Sequence, residues 1–228
     1  MILSRLFPRL YPILDASCFP NARALLTAAE ELVAGGCTLL QYRNKSGNAR
    51  GMLEQARELR RLFPAHVDVE SHSNVAENAS LEWATHSVRL IMNDRADLCL
   101  AAEFDGVHVG QEDLSPGSVR AIIGPERWMG VSTHNPEQLR EADLTSADYL
   151  AIGPVFATSS KSNPDPVVGL EGVRRARSLT RKRLVAIGGI TRANAASVID
   201  AGADSVAVIS DLLREPRKSA EEFFRVLR

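Results

Sequence analysis

No apolar stretch of this chain approaches the roughly 20 residues needed to cross a bilayer. Pro8, Pro12 and Asp15 interrupt the apolar N-terminus, which makes it a poor signal peptide. The chain has no C-x-x-C pair. Its cysteines, Cys18, Cys37 and Cys99, are three and scattered, which speaks against zinc or thioredoxin-like chemistry and fits spare thiols in a reducing cytoplasm. There is no basic excess either: Lys+Arg is 27, Asp+Glu is 28, and the formal charge is −1. General nucleic-acid and membrane-surface binding are therefore not expected. Finally, no G-x-G-x-x-G follows the first apolar run, so a doubly wound dinucleotide fold is only the second choice.

What the chain does have is a rhythm. Eight short runs are apolar almost throughout, as parallel strands covered on both faces should be. They are LYPILD (10–15), TLLQYR (38–43), VRLIMN (88–93), GVHVG (106–110), WMGVS (128–132), DYLAIGP (148–154), LVAIGG (184–189) and SVAVIS (205–210). Amphipathic helical patterns separate them. NARALLTAAEELVAGG should end at Gly35–Gly36. SPGSVRAII should start with Ser115 as cap and Pro116 in its first turn. TRANAASVIDAG should start at Thr191, and SAEEFFRVLR should be the last helix. Eight strands alternating with helices predict a (β/α)₈ TIM barrel, an α/β fold that at 228 residues forms one domain over 1–228.

One stretch breaks the rhythm. Residues 63–87 are polar and hold three of the five histidines. A short helix over about 74–85 is expected, because Ser73-Asn74 followed by Glu77 resembles a cap. His66, Asp68, Glu70 and His72 would share one face of a strand. That pattern would suit a metal, but a solvated polar face needs no further assumption.

Barrel chemistry sits where strands end. The second strand runs into Gln41, Arg43 and Lys45 at period two, two cations and an amide suited to a phosphorylated ligand or to an ordinary charged loop. Asp94 and Asp113 follow adjacent strands and would share a cation such as Mg²⁺, or else cap the next helices. Ser132 and His134 follow the fifth strand; His134 is read as an acid/base or as a loop anchor. His108 lies inside the fourth strand and is read as structural. Thr158, Ser159, Ser160 and Lys161 form a polar loop after the sixth strand. Gly188-Gly189 and Ile209-Ser210 stand where such barrels commonly bind phosphate. No nucleophile–base pair is evident, which favours stabilisation of a leaving anion over a covalent intermediate.

Seven segments taken together resemble the thiamine phosphate synthase family: QYRNK (41–45), NDRADL (93–98), GVHVGQEDL (106–114), GVSTHN (130–135), GPVFATSSK (153–161), AIGGIT (186–191) and AGADSVAVIS (201–210). The resemblance implies an enzyme, a transferase of thiamine biosynthesis, that joins two phosphorylated heterocycles. Diphosphate leaves the CH₂ of a pyrimidine, a carbocation forms, and a thiazole nitrogen attacks it. It implies that Gln41, Tyr42, Arg43, Asn44, Lys45, Asn93, Ser132 and Lys161 bind the pyrimidine diphosphate. Of these, Arg43, Lys45, Ser132 and Lys161 would serve the chemistry. Thr158, Ser159, Ser160, Gly189, Ile209 and Ser210 would bind the thiazole phosphate, and Asp94 and Asp113 would hold Mg²⁺. Homo-oligomerisation is left open. The chain departs from the family pattern in three places: an apparent insertion at about 64–87, expected on the face opposite the active site; Ala157 where many relatives have proline; and the wording LYPILDAS, which leaves Asp15 without a role. Three rival readings are a thiazole tautomerase relative, a phosphosugar epimerase or isomerase, and a non-catalytic barrel that binds a phosphorylated ligand. The first would not need the cation set, the second would need an acid/base pair, and the third would not need to keep the full cation site.

Overall fold

The computed structural model describes residues 7–65, 88–158 and 165–228. Eight parallel strands close into a barrel in chain order. They are β1 (Leu10–Asp15), β2 (Leu39–Arg43), β3 (Arg89–Asn93), β4 (Gly106–Val109), β5 (Trp128–Thr133), β6 (Tyr149–Ile152), β7 (Arg183–Ile187) and β8 (Ser205–Val208). Eight α-helices follow them: α1 (Ala22–Ala34), α2 (Ala49–Leu62), α3 (Ala96–Ala101), α4 (Pro116–Ile123), α5 (Pro136–Asp143), α6 (Gly169–Leu179), α7 (Ala195–Asp200) and α8 (Pro216–Val226). Every expected strand is present within two residues at each end.

The starts and stops have local causes. Asn21 accepts from the backbone N–H of Ala24 and caps α1. Gly36 after the helix takes φ 101, a backbone that a side chain strains against. Ser115 caps α4 by accepting from the Ser118 N–H, with Pro116 in the first turn. Two helices differ from expectation. The α7 pattern begins at Thr191, but Thr191–Asn194 is a turn closed by Thr191 and Asn194 on each other, so the helix opens only at Ala195. The last helix starts three residues early, because Pro216 has the right φ for a first turn.

Period two divides each strand between two cores. Outward residues such as Leu14, Leu40, Leu90, Val107 and Val206 pack under the helices. Inward residues Tyr11, Ile13, Leu39, Ile91, Tyr149, Ala151, Val185 and Ala207 fill the barrel. At the N-terminal end, Phe7 closes the floor, stacked on Trp128 at 5.4 Å, while Arg89 lies over the Trp128 ring. The side chains inside are therefore packed below and open only above, which places the cavity at the strands' C-terminal ends. The expected helix over 74–85 and the face of His66, Asp68, Glu70 and His72 lie outside the described residues. So does most of the proposed insertion.

Candidate active site

A cavity of about 190 Å³ opens at the C-terminal ends of the strands. Tyr11 and Ile13 of β1, Gln41 and Arg43 of β2, Asn93, His108 and Ser132 line it, as do Thr158, Gly189, Ile209 and Ser210. Eight of the residues anticipated from sequence thus share one cavity: Gln41, Arg43, Asn93, Ser132, Thr158, Gly189, Ile209 and Ser210.

The cationic side is built by parallel register. Asp15 ends β1 directly opposite Arg43, which ends β2. The buried Asp15 carboxylate divides its oxygens: one accepts from the Ser17 N–H and hydroxyl, at 3.0 and 2.7 Å, and the other accepts from the Arg43 guanidinium. Arg43 is thereby held at the cavity wall with its charge only partly balanced by a carboxylate that is already shared. Asp15 received no role from the sequence. The signal was available, because it is the last residue of a strand, where the other candidates were sought.

Lys45 extends past β2 and pairs with Asp94. Asp94 follows β3 with φ 63, unusual for a residue with a side chain, and its N–H donates to the His108 carbonyl at 2.7 Å. It does not cap a helix: α3 starts after Arg95 without any side-chain cap. Asp113 also leaves its helix to Ser115 and instead accepts from the Gly110 N–H at 2.7 Å. Burial lifts the Asp94 pKa above the ordinary carboxylate range. Lys45 pulls it back down, and the neighbouring Asp113 carboxyl pushes it up. Two adjoining carboxylates that resist sharing negative charge fit a divalent cation. Among the described residues no group of three or more His, Cys, Asp or Glu could hold a metal. A cation held by these two carboxylates would take its remaining ligands from substrate and water, as Mg²⁺ commonly does.

Along the cavity floor the polar groups form a chain. Ser132 Oγ lies 2.8 Å from His108 Nε2, and His108 Nδ1 lies 3.1 Å from the Tyr149 hydroxyl. The Tyr149 and Tyr11 hydroxyls are 2.9 Å apart, and Gln41 donates to Tyr11 at 2.9 Å. Burial pushes His108 down to about 4, with Asp113 opposing, so its ring is neutral at pH 7. Sequence reasoning missed both tyrosines, whose inward positions in strands read as ordinary core.

The opposite side is made of backbone. Gly188 and Gly189 after β7 have φ 99 and 64. A Cβ on Gly189 would lie 2.5 Å from the Ala157 carbonyl, so the loops after β6 and β7 meet only through a glycine. Thr158 belongs to this side. Ser159, Ser160 and Lys161 lie outside the described residues.

Two anticipated ligand residues point elsewhere. Tyr42 lies between strand and helix in the outer core, and its hydroxyl donates to Gln55 at 2.6 Å. Asn44 donates to Tyr42 and Gln55, both at 3.1 Å, and accepts from the Ser46 N–H. Tyr42 is corrected to a structural role, because period two turns residue 42 away from the face of 41 and 43, whereas the half-exposed Asn44 is held within its own turn. His134 lines the cavity edge, but its Nδ1 donates to the Gly153 carbonyl at 2.6 Å, and Asp165 lies 3.5 Å from its Nε2. This is an anchor between the β5 and β6 loops, the second of its two sequence readings.

The family model for thiamine monophosphate synthase matches residues 66–212. The chain is 58% identical to the thiamine-phosphate synthase of Koribacter versatilis over 223 residues, 96% of each chain. It is 41% identical to that of Xanthobacter autotrophicus, covering 84% of this chain and 81% of the relative. The thiamine phosphate pyrophosphorylase of Pyrococcus furiosus superposes with a TM-score of 0.77 at 31% identity, covering 96% and 95% of the two chains. A 3-hexulose-6-phosphate synthase at 15% identity and TM-score 0.67 shares the barrel alone.

Proposed function

The chain belongs to the thiamine monophosphate synthase family, and we propose that its own residues couple a pyrimidine diphosphate to a thiazole phosphate as follows. The enzyme is a transferase. The bond between the pyrimidine CH₂ and the diphosphate oxygen breaks, and its electron pair leaves with diphosphate. The thiazole nitrogen then donates its lone pair to the cationic carbon, forming the new C–N bond.

Such a reaction needs no protein nucleophile. It needs fixed positive charge where the anion departs and a partner ring held close. Arg43, held by Asp15 at the cavity wall, and Lys45, held by Asp94 past the end of the same strand, supply that charge. Asn93 and Ser132 complete the pyrimidine side. Gly189, Ile209, Ser210 and Thr158 receive the thiazole phosphate on the other side. Asp94 and Asp113 are the residues that would hold Mg²⁺, which when bound supplies further neutralisation of the phosphate oxygens. Lys161, Ser159 and Ser160 keep the roles implied by the family's motif.

The observation that carries this reading is Arg43 on the wall of a cavity that Gly188 and Gly189 line as well, with Lys45, Asp94 and Asp113 adjoining one another just past the ends of β2, β3 and β4. A thiazole isomerase would have no diphosphate to neutralise and no use for that group. Among the described residues no helix is long and apolar enough to cross a membrane, and Cys37 and Cys99 are free and buried. The free thiols fit a reducing, cytoplasmic setting. The test is a coupling assay with both substrates, with and without Mg²⁺, read as the fluorescent oxidation product of thiamine phosphate. Mg²⁺-dependent product is expected, and folded protein that yields none would overturn the assignment.

A further inference from the structure

The buried chain along the cavity floor has a direction. A carboxamide nitrogen can only donate, so Tyr11 accepts from Gln41 Nε2. With each hydroxyl passing its own proton to the next partner, the Tyr11 proton would go to the Tyr149 oxygen and the Tyr149 proton to His108 Nδ1, contacts of 2.9 and 3.1 Å. A neutral imidazole whose Nδ1 accepts carries its proton on Nε2. Nε2 donates to Ser132 Oγ, leaving the single Ser132 proton free for the cavity. We propose that this chain fixes His108 as the Nε2–H tautomer and thereby presents Ser132 to the pyrimidine substrate as a hydrogen-bond donor.

The packing is built around the chain. Gly130 of β5 stands between His108 and Tyr149, each its neighbour in register. A Cβ there would lie 2.1 Å from Tyr149 Cζ and 2.4 Å from His108 Nδ1. Only glycine lets the ring and the phenol meet. The interior residue Ala151 is likewise small, and Tyr149 stacks on the imidazole at 5.5 Å. Tyr11, Tyr149 and His108 are nine-tenths buried or more. In that direction every hydroxyl between Gln41 and His108 accepts one bond and donates one, so no member would turn without leaving a buried group unpaired.

Tyr11, Tyr149 and His108 are positioning residues. Resting on the coupling reaction above, the inference states a specificity: the substrate atom that meets Ser132 is an acceptor, a ring nitrogen or a phosphate oxygen, and not an amino N–H. The first experiment needs no substrate. Two-bond proton–nitrogen correlation spectra of protein labelled in histidine report which ring nitrogen of His108 carries the proton. The wild type is expected to show the Nε2–H form, and Tyr149→Phe a mixture of both. An Nδ1–H form in the wild type would overturn the proposal. The second experiment is kinetic. Tyr149→Phe should raise KM for the pyrimidine diphosphate about tenfold, the loss of one aligned hydrogen bond, and leave KM for the thiazole phosphate unchanged. An unchanged pyrimidine KM alongside a changed tautomer would overturn the Ser132 assignment. Should Tyr149→Phe not fold, the wild-type spectrum alone decides. Should the wild type not couple the substrates, the spectrum still decides the tautomer while the functional reading falls separately.

Discussion

The buried Asp15 carboxylate fixes the Arg43 guanidinium, which we propose receives the leaving anion. It is 4% exposed, and one oxygen is committed to Ser17, so Arg43 has only the other. Removing one member of such a pair leaves a charge without its partner at the cavity wall. Asp15→Asn should therefore lower kcat/KM for the pyrimidine diphosphate by about 10²-fold, an Arg displaced by about an ångström being enough. It should leave KM for the thiazole phosphate near the wild-type value. Steady-state kinetics with each substrate varied in turn check this, and equal losses on both would mean that Asp15 supports the barrel mouth as a whole. Asp94→Asn tests the neighbouring pair. It keeps the size of the side chain but removes a charge from both Lys45 and the cation, so the Mg²⁺ concentration for half-maximal rate should rise at least about tenfold. A Mg²⁺ titration that superposes on the wild type would remove Asp94 from the metal site.

The loops following β6 and β7 work as one element. Gly189 has φ 64 and meets the Ala157 carbonyl, and Val155 and Phe156 donate their N–H groups to the Ile187 and Gly188 carbonyls at 2.9 and 3.0 Å. Gly189→Ala brings both a strained backbone and a collision with a carbonyl that cannot swing aside. It should raise KM for the thiazole phosphate by about tenfold, with stability down by about 1–3 kcal/mol. Isothermal titration with the thiazole phosphate and urea unfolding separate the two effects. Wild-type thiazole affinity would show that the phosphate sits elsewhere. Where a cap was read from the sequence within the described residues it held, because caps are local: Ser115, expected before Pro116, accepts from the N–H three residues on. The α7 start differed, since Asn194 hydrogen-bonds back to Thr191 and Gly189 and delays the helix by one turn.

The molecule as a whole pays for a neutral imidazole in its centre. An unfolded histidine titrates near 6.5, whereas burial holds His108 down to about 4. Between those values the unfolded chain binds a proton that the folded chain does not, so stability contributed by neutral His108 is complete above about pH 6.5 and is lost as pH falls towards 4. The loss amounts to about 3 kcal/mol. Asp94 acts with the opposite sign: its raised pKa lets the folded state take up a proton more readily, which adds stability as the pH falls through the carboxylate range. Urea unfolding at pH 7 and pH 4.5 should show a fall that His108→Asn flattens. A variant as acid-sensitive as the wild type would place the titrating group elsewhere.

How much of this was readable in advance follows the range of the interactions. Strand and helix identity came from apolar period and caps, which act within a few residues, and eight strands in alternation with helices allowed one closed arrangement. The strand-end rule then located Gln41, Arg43, Asn93, Asp94, Asp113 and Ser132, because barrel topology alone sends such residues to one rim. The side to which each side chain turns was decided by the folded structure. Tyr42 and Asn44 stand among the anticipated ligand residues in the chain yet bond to Gln55 of α2, while Asp15 and Arg43, 28 apart in sequence, meet through strand register. Tyr11 and Tyr149 are 138 residues apart and look like any core tyrosine. Only closure of the barrel, with Gly130 leaving the gap between His108 and Tyr149, joins them into a path from Gln41 to Ser132, because a hydrogen bond depends on ångström distances that composition and period do not contain.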